Sequence, residues 1–445
     1  MKRTWIALSA AVVLAGCGNS SKTESPTSTS APAPDAKIEG NVEVAAFKGG
    51  YGVDFFERVG KEFEAKHPGV KVKVEGDPRI WEKLRPRFMG DTPPDLAFPG
   101  WGMDHWALKD EDQLLPLDDA LATKAAEGDT TWGETFDPGL LKLGQMDGKT
   151  WVLPYFYSVL GWWYDPGVFK KNGWTPPKTF DELLALGEKI KAAGMAPLTF
   201  QGKYPYYILD GMILPWICSV GGPEAVKACQ NLEPGAWNSP AVLKAAQMLD
   251  ELNKKGFFQR GAVGMTHTEA QQQFLQGKAA MVPCGTWLRA EMEGTMPEGS
   301  SMRFMLPPIA AGGKGDPNAV IIKIEPWMVP SRAKNPAAAI ALYKELTSLS
   351  NAKKFVEEKG TLMAIKGSDQ AKLIPELEEP ARVIRESKDV YAAQYREWYQ
   401  TLGKELEDAT TALMNGTITP EQFCERAEKK AQEVAKDSSI SKHKI

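Results

Sequence analysis

The amino-acid sequence predicts an α/β protein with mostly parallel sheets. Short apolar strands alternate with amphipathic helices along most of its 445 residues, and this alternation is typical of helices packed against a parallel sheet. The first elements show the pattern: residues 42–46 alternate as a strand, Phe55, Val59 and Phe63 form one face of a helix, and residues 70–74 alternate again. Such a start favours a right-handed crossover between parallel strands.

Helices along the rest of the chain carry recognisable start signals. Thr179–Glu182 and Thr419–Gln422 match capping boxes, and Ser239–Pro240 places proline at the first position of another helix. Residues 390–414 are predicted to form one long helix, so the C-terminal part of the protein is expected to be helical.

The bulk composition is that of an ordinary globular protein. Hydrophobic residues make up 43% of the chain and charged residues 25%, and the length suggests two or three domains. The net charge is −4, and removing Lys2 and Arg3 with a signal peptide leaves −6. A mildly acidic chain without a basic stripe is a poor candidate for nucleic-acid binding, so we predict no nucleic-acid partner.

The N-terminus has the build of a secretory signal. A positively charged start is followed by an apolar stretch at residues 5–14, and Leu14–Cys17 resembles a bacterial lipobox. Residues 1–16 are therefore predicted to be a lipoprotein signal peptide, with lipid attached to Cys17. Residues 17–38 are rich in small and polar residues and should form a flexible tether. We expect an exported protein, lipid-anchored at the cell membrane on its periplasmic or outer face.

Four further cysteines leave the disulfide pattern open. Cys218, Cys229, Cys284 and Cys424 allow three pairings if all are oxidised. A disulfide between Cys218 and Cys229 closes the shortest loop, and four separate buried thiols are an equal alternative. The chain has four histidines and no CxxC or HExxH motif, so neither a metal nor another cofactor is predicted.

Four loops follow predicted strands and combine aromatic residues with polar neighbours. In parallel sheets, ligands bind beyond the carboxyl ends of the strands. These loops come from distant parts of the chain and therefore predict one shared ligand site: Phe47–Gly52, Pro99–Asp104, Cys284–Arg289 and Glu325–Met328.

The stretch Trp151–Trp174 is unusually rich in rings, because nine of its 24 residues are aromatic. Its first half is β-prone, and we interpret it as a crossing between two lobes. Tyr155–Ser158 is expected to line the back of a cleft. Trp162 and Trp163 should lie on opposite faces of the strand and enter the core.

Several motifs resemble ABC-transporter sugar-binding proteins of the family that includes maltose-binding protein. They are the lipobox, Asp95–Phe98, Gly148–Tyr155, Trp163–Asp165 with the helix entry that follows, Phe274–Met281 and Gly285–Trp287. The resemblance spans residues 42–434. Phe200–Tyr207 further resembles the subgroup that binds N-acetylglucosamine and diacetylchitobiose.

This resemblance implies a two-lobe periplasmic-binding-protein fold of type II with three crossings between the lobes. Lobe 1 is expected to comprise 39–155 and 320–386, lobe 2 156–319 and 387–436, and residues 437–445 a frayed tail. The crossings should fall near Tyr155–Ser158, Ala319–Lys323 and Arg385–Val390.

The resemblance also implies ligand contacts. Trp287 and Trp398 match positions that stack on sugar rings, and Lys48 matches a position that binds hydroxyls. Trp101 lies two residues after the family's usual aromatic position, Pro99. The expected ligand-binding residues are Lys48, Tyr51, Trp101, Tyr157, Ser158, Gln201, Tyr204, Tyr206, Trp287, Glu325, Trp327 and Trp398.

The function expected from these features is a non-enzymatic receptor for a mono- or short oligosaccharide, with N-acetylglucosamine or chitobiose as the best match. The receptor would be a monomer that closes on its ligand and delivers it to the permease of an ABC importer. One alternative is the same fold with a polyol, glycerophosphodiester or peptide ligand. Another is a secreted glycoside hydrolase, which would need two carboxylates across the scissile bond.

Overall fold

A computed structural model describes residues 37–100, 103–299 and 301–445. Its strands are β1 Gly40–Phe47, β2 Val70–Asp77, β3 Leu96–Phe98, β4 Gln145–Met146, β5 Lys149–Thr150, β6 Leu153–Tyr164, β7 Ala196–Leu198, β8 Ala279–Gly285, β9 Arg303–Met305, β10 Val320–Trp327, β11 Leu362–Met363 and β12 Val390–Ala392.

Helices fill the intervals between these strands and the C-terminal region. In chain order they are α1 Asp54–Lys66, α2 Ile80–Met89, α3 His105–Asp110, α4 Asp118–Leu121, α5 Trp132–Thr135, α6 Pro138–Lys142, α7 Pro166–Asn172, α8 Phe180–Ala192, α9 Tyr206–Ile208, α10 Leu214–Gly221, α11 Pro223–Gln230, α12 Pro240–Lys254, α13 His267–Leu275, α14 Leu288–Met292, α15 Pro336–Leu346, α16 Leu349–Lys359, α17 Pro375–Glu386, α18 Gln394–Trp398, α19 Gln400–Met414 and α20 Pro420–Lys436.

The first sheet follows the pattern expected from the sequence. Its three strands run in the order β2-β1-β3, and both pairs are parallel. Helix α1 connects β1 to β2 and buries Phe55, Val59 and Phe63, each at most 1% exposed. The predicted β-α-β start is therefore confirmed.

The second sheet is larger and mixed, which corrects the expectation of mostly parallel pairing. Its main order is β12-β10-β6-β8-β7, with β9 and β11 also paired to β6. The 12-residue strand β6 lies at the centre and runs antiparallel to β8, β9, β10 and β11. Only the outer pairs, β10 with β12 and β7 with β8, are parallel.

Residues from the three predicted crossings lie in neighbouring strands of this sheet. Ser158 of β6 pairs with Lys323 of β10, and Val320 of β10 pairs with Val390 of β12. Trp162 and Trp163 are completely buried and belong to two different core clusters, because successive side chains of a strand point to opposite faces. The interpretation of Trp151–Trp174 as a crossing agrees with this arrangement.

One of these clusters lies almost entirely within the residues proposed for lobe 2, whereas the other draws residues from both proposed lobes. Apart from Ile321, the buried residues of the former come only from 160–310 and 395–434. The C-terminal helices therefore pack with the middle of the chain rather than with the segments adjoining them in sequence.

Two expectations for the C-terminal region are wrong. Residues 390–414 do not form one helix, because β12 joins the large sheet and a break at Tyr399 separates α18 from α19. The tail is not frayed: the backbone N–H of His443 donates to the Tyr399 hydroxyl at 2.9 Å, and the N–H of Ile445 donates to Asn231 Oδ1 at 3.0 Å. Backbone hydrogen bonds of this kind hold a terminus in place.

Of the two alternatives for the cysteines, the structure shows separate buried thiols, because Cys218 and Cys229 are both free and buried. The Cys229 thiol donates to the carbonyl oxygen of Ala236 at 3.5 Å. Burial raises the pKa of the Cys218 thiol to about 12 and raises that of Cys229 as well, which makes both thiols poor nucleophiles. Cys17 lies outside the described residues.

No helix within the described ranges has the length and apolar character that crossing a bilayer requires.

Candidate functional site

A cavity of about 460 Å³ lies where β10 of the large sheet meets residues of both proposed lobes. Its size falls within the usual range for small-molecule sites. Two aromatic residues, Tyr206 and Trp287, border it together with a large set of polar and charged side chains: Arg85, Asp104, His105, Asp210, Lys323, Glu325, Arg396, Glu397, Gln400, Lys404 and Glu407.

Trp287 is fixed at the edge of the cavity by the turn that follows β8. A Cβ atom added to Gly285 would lie 2.0 Å from Cζ3 of Trp287, so the indole ring rests directly on the glycine backbone. Tyr207 meets the ring at an interplanar angle of 65° and a centroid distance of 6.1 Å. A half-buried indole held in this way can offer a flat surface to the C–H face of a ligand.

Tyr206 has a different role, because its ring is packed by its neighbours. The Arg396 guanidinium carbon lies over the ring at 4.4 Å from the centroid, and Tyr207 stacks with it at the same distance. Arg396 and Tyr207 therefore cover the ring of Tyr206, although the residue borders the cavity.

Asp210 holds Arg396 in place. It lies in a π-helical turn, Leu209–Ile213, and its side chain is 4% exposed. One carboxylate oxygen accepts a hydrogen bond from the Tyr395 hydroxyl at 2.8 Å, and the other accepts from Nη1 of Arg396 at 2.7 Å. Glu407 adds a second acidic neighbour 3.7 Å from Nε of Arg396. The guanidinium is thus oriented on two sides.

The cavity also brings polar groups of the two proposed lobes together. Asp104 caps α3 with one carboxylate oxygen and accepts a long hydrogen bond from Gln400 Nε2 at 3.4 Å with the other. His105 Nε2 is 3.7 Å from Glu397 Oε2, and within the described chain this nitrogen is buried without a hydrogen-bond partner. Burial lowers the pKa of His105, partly opposed by Glu397, so the imidazole is neutral at pH 7.

Lys323 and Glu325 occupy alternate positions of β10 and both border the cavity. Burial lowers the pKa of Lys323 to about 8 and raises that of Glu325 to about 8, and each group partly offsets the shift of the other. Burial therefore shifts Glu325 toward its neutral carboxyl form. A neutral carboxyl can donate one hydrogen bond and accept others, which suits an uncharged ligand.

The free energy of unfolding of the Glu325→Gln variant should therefore depend on pH differently from that of the wild type. The folded-state pKa of about 8 lies above the ordinary value of 4.5, so between these values the unfolded state loses the proton before the folded state does. From pH 5 to 7.5 we expect the free energy of unfolding of the wild type to fall relative to that of Glu325→Gln. Urea denaturation measures both free energies of unfolding. If they change with pH in parallel, the raised pKa of Glu325 is contradicted.

The structure places three of the predicted ligand-binding residues on the cavity surface: Tyr206, Trp287 and Glu325. Lys48 lies just beyond β1, where its side chain is exposed, and it is not part of the cavity wall. Tyr204 is exposed beside Tyr206. Trp101 lies outside the described residues.

Other predicted ligand residues belong to the packing around the cavity. Trp327 is completely buried between Phe98 and Tyr343, which is a core position and corrects the predicted contact. The rings of Phe56 and Tyr155 also pack against it, at centroid distances of 5.0 and 5.7 Å, so core residues cover the indole and leave no face for a ligand.

Five further residues that were predicted to contact ligand also do not border the cavity. Tyr157 and Ser158 are buried within β6, and Gln201 is completely buried with its amide donating to the carbonyl of Pro283 at 2.7 Å. Tyr51 packs edge-on against Phe156 in the core at 5.0 Å. Trp398 packs between two core clusters and does not border the cavity.

Several cavity residues were not predicted from the sequence. Asp104 lies in one of the four loops that were predicted to form the ligand site. Arg396 and Glu397 directly precede Trp398, which was predicted to bind ligand. Nothing in the sequence pattern marks Asp210, because its partners Tyr395 and Arg396 are 185 and 186 residues away.

The fold and its interlobe cavity define a solute-binding protein. A family model described as bacterial extracellular solute-binding protein matches residues 49–353 of the chain. The chain belongs to this family. The predictions of the two-lobe α/β fold and of a solute-binding protein are therefore confirmed.

One relative and two solved structures show which solute-binding proteins this chain is similar to. The diacetylchitobiose binding protein NgcE of Streptomyces coelicolor is 31% identical over 340 residues, which cover 75% of this chain and 71% of that protein. The solved structure of a chitin oligosaccharide binding protein is similar with a TM-score of 0.73 and 24% identity, covering 89% of this chain and 99% of that one. The solute-binding protein RafE in complex with raffinose has a TM-score of 0.69 and 19% identity, covering 88% and 98%.

Proposed function

We propose that this protein captures a short N-acetylated saccharide, such as N-acetylglucosamine or diacetylchitobiose, and delivers it to the permease of a carbohydrate ABC importer. The single observation that carries the proposal is the indole of Trp287, fixed on Gly285 at the edge of a polar cavity. A flat ring beside many hydrogen-bonding groups is the combination that a pyranose requires, since one face of the sugar is C–H and its rim is hydroxyl.

The charges of the cavity favour an uncharged ligand. Its wall has four permanently or partly cationic side chains, Arg85, Lys323, Arg396 and Lys404, and five acidic ones, Asp104, Asp210, Glu325, Glu397 and Glu407. Opposite charges are therefore nearly balanced, and burial raises the pKa of Glu325 and Glu407 toward the neutral form. A phosphodiester would need an excess of cationic groups, so this class is less well suited.

The identity of the relatives supports the acetamido class. The match to the diacetylchitobiose binding protein covers most of both chains, and the Phe200–Tyr207 segment that resembles this subgroup lies directly beside the cavity through Tyr206. Lobe closure is the mechanism we infer. A ligand that contacts Trp287 on one side and Asp104 or His105 on the other favours the closed form, because it binds that form more tightly.

We infer that the cavity carboxylates bind ligand and do not cleave it. Hydrolysis of a glycosidic bond needs one carboxyl as acid and a second as base or nucleophile. Asp210 is already committed to Tyr395 and Arg396, and Glu407 lies against the same guanidinium. Within the family, the part played by such a chain is binding rather than catalysis.

The N-terminal sequence supports a proposal of export and lipid anchoring. We propose that Cys17 carries lipid and that a monomer is thereby held at the outer face of the cell membrane.

A thermal-unfolding series with added saccharides tests the proposed function. A ligand that binds only the folded state raises its apparent stability by mass action, by about 2.7 kcal/mol at a hundredfold excess over Kd. We expect diacetylchitobiose or N-acetylglucosamine to raise the unfolding temperature, and cellobiose and glycerophosphocholine to have smaller effects. Stabilisation by glycerophosphocholine alone would contradict the proposal, as would hydrolysis of diacetylchitobiose by the purified protein.

A further inference from the structure

Tyr204 stands out on the surface beside the cavity. The residue is 39% exposed. Few large hydrophobic side chains among the described residues face solvent, and of these Tyr204 is the aromatic one. Val263, 40% exposed, belongs to the neighbouring loop. Loops held by a rigid scaffold carry binding residues more often than other parts of a protein do.

A continuous series of rings joins Tyr204 to the cavity. Its centroid lies 6.4 Å from that of Tyr206, Tyr206 stacks on Tyr207 at 4.4 Å, and Tyr207 meets Trp287 at 6.1 Å. Tyr206 and Trp287 border the cavity and Tyr204 does not. The series therefore runs from the inner site to the surface.

The loop that carries Tyr204 is held firmly in position. Its buried Gln201 donates to the carbonyl of Pro283 in β8, the strand that leads to Trp287. The N–H groups of Gly202 and Lys203 donate to the carbonyls of Ala262 at 3.1 Å and Met265 at 3.0 Å. A ring whose position is fixed in the free protein loses little entropy when a ligand packs on it.

His267 completes this surface with a polar group. Its ring lies 5.4 Å from that of Tyr204 in an edge-to-face arrangement, and its side chain is 35% exposed. Nε2 is 3.9 Å from Oε1 of Glu291, which lies in α14 directly after Trp287. Tyr204 thus offers a ring, and His267 and Glu291 offer hydrogen-bonding groups for hydroxyls.

We propose that Tyr204 and His267 form an outer subsite for a third sugar ring, next to a disaccharide held in the cavity at Trp287, so that chitin oligosaccharides longer than the disaccharide bind more tightly. This inference rests on the proposed function. The occupant is a further N-acetylated hexosamine of the same ligand, because the subsite is continuous with the cavity through Tyr206.

Calorimetric titration of the mature protein with N-acetylated chitobiose, chitotriose and chitotetraose tests the outer subsite. We expect one of the longer oligosaccharides to bind the wild type roughly 3- to 10-fold more tightly than the disaccharide, in line with the weak-to-moderate energy of a single stacking contact. The Tyr204→Ala variant should lose this increment, so that it binds the three oligosaccharides with similar affinities. Tyr204→Phe should retain the increment.

Leu349→Ala is the matched control, because Leu349 is a similarly exposed side chain, 37%, that does not border the cavity. Equal affinity of the wild type for all three lengths, or an increment that survives in Tyr204→Ala, would overturn the outer subsite and leave the proposed function intact. Binding of none of the three saccharides by the wild type would instead overturn the proposed function.

Discussion

Replacing Trp287 by alanine should raise the Kd for the saccharide roughly 30- to 700-fold, which corresponds to a loss of about 2–4 kcal/mol of binding free energy. The indole is half-buried and rests on Gly285, so its position is fixed before the ligand arrives. Its removal takes away both the flat surface and the exclusion of water from that side of the cavity. Calorimetric titration with diacetylchitobiose measures the effect.

Two control variants separate stacking from a general loss of packing. Trp287→Phe keeps a smaller ring and should lose only part of the affinity. Trp174 is also half-buried in the same proposed lobe, where it packs on Phe169 with a centroid distance of 5.7 Å, and it does not border the cavity. Trp174→Ala should therefore leave the affinity unchanged. Equal affinities of Trp287→Ala and wild type would remove Trp287 from the site.

Replacing Asp210 by alanine should have the largest effect on stability. The variant leaves the Tyr395 hydroxyl buried without its acceptor and deprives Arg396 of its closest carboxylate. Removal of one partner from a buried ion pair costs about 3–5 kcal/mol. Because the Arg396 side chain is 24% exposed and keeps Glu407 nearby, we expect about 3 kcal/mol, at the lower end of this range.

Urea denaturation measures this loss, and Asp408→Ala is its control. Asp408 pairs with Lys404 on the surface of α19, where its side chain is 51% exposed, so its removal should change the unfolding free energy by less than about 0.5 kcal/mol. A similar small change in Asp210→Ala would show that the buried contacts of Asp210 do not stabilise the fold. We also expect Asp210→Ala to bind saccharide more weakly, since Arg396 is no longer held against Tyr206.

The sequence predicted the elements that depend on local pattern. Alternation of side chains correctly assigned Trp162 and Trp163 to opposite faces, and the capping boxes at Thr179 and Thr419 correctly marked two helix starts. The strand-end rule led to the loops that contain Asp104 and Trp287. These predictions need only the period of a strand, the chemistry of a helix start and the direction of a sheet.

The features that could not be predicted from the sequence depend on which distant residues the fold brings together. The cation held by Asp210 comes from a helix 186 residues further along the chain. Glu325 and Trp327 are two residues apart in β10, yet Glu325 borders the cavity and Trp327 is completely buried in the core. Local pattern cannot show this difference, because it depends on which residues from distant parts of the chain pack against each position.

Solution X-ray scattering with and without diacetylchitobiose tests the central claim, which is that a saccharide held between Trp287 and the Asp104–His105 side favours closure of the two lobes. At a ligand concentration that calorimetry shows to be saturating, the account predicts a smaller radius of gyration than without ligand. Trp287→Ala at the same concentration should give the curve of the ligand-free protein. A wild-type scattering curve that does not change at saturation would contradict the account.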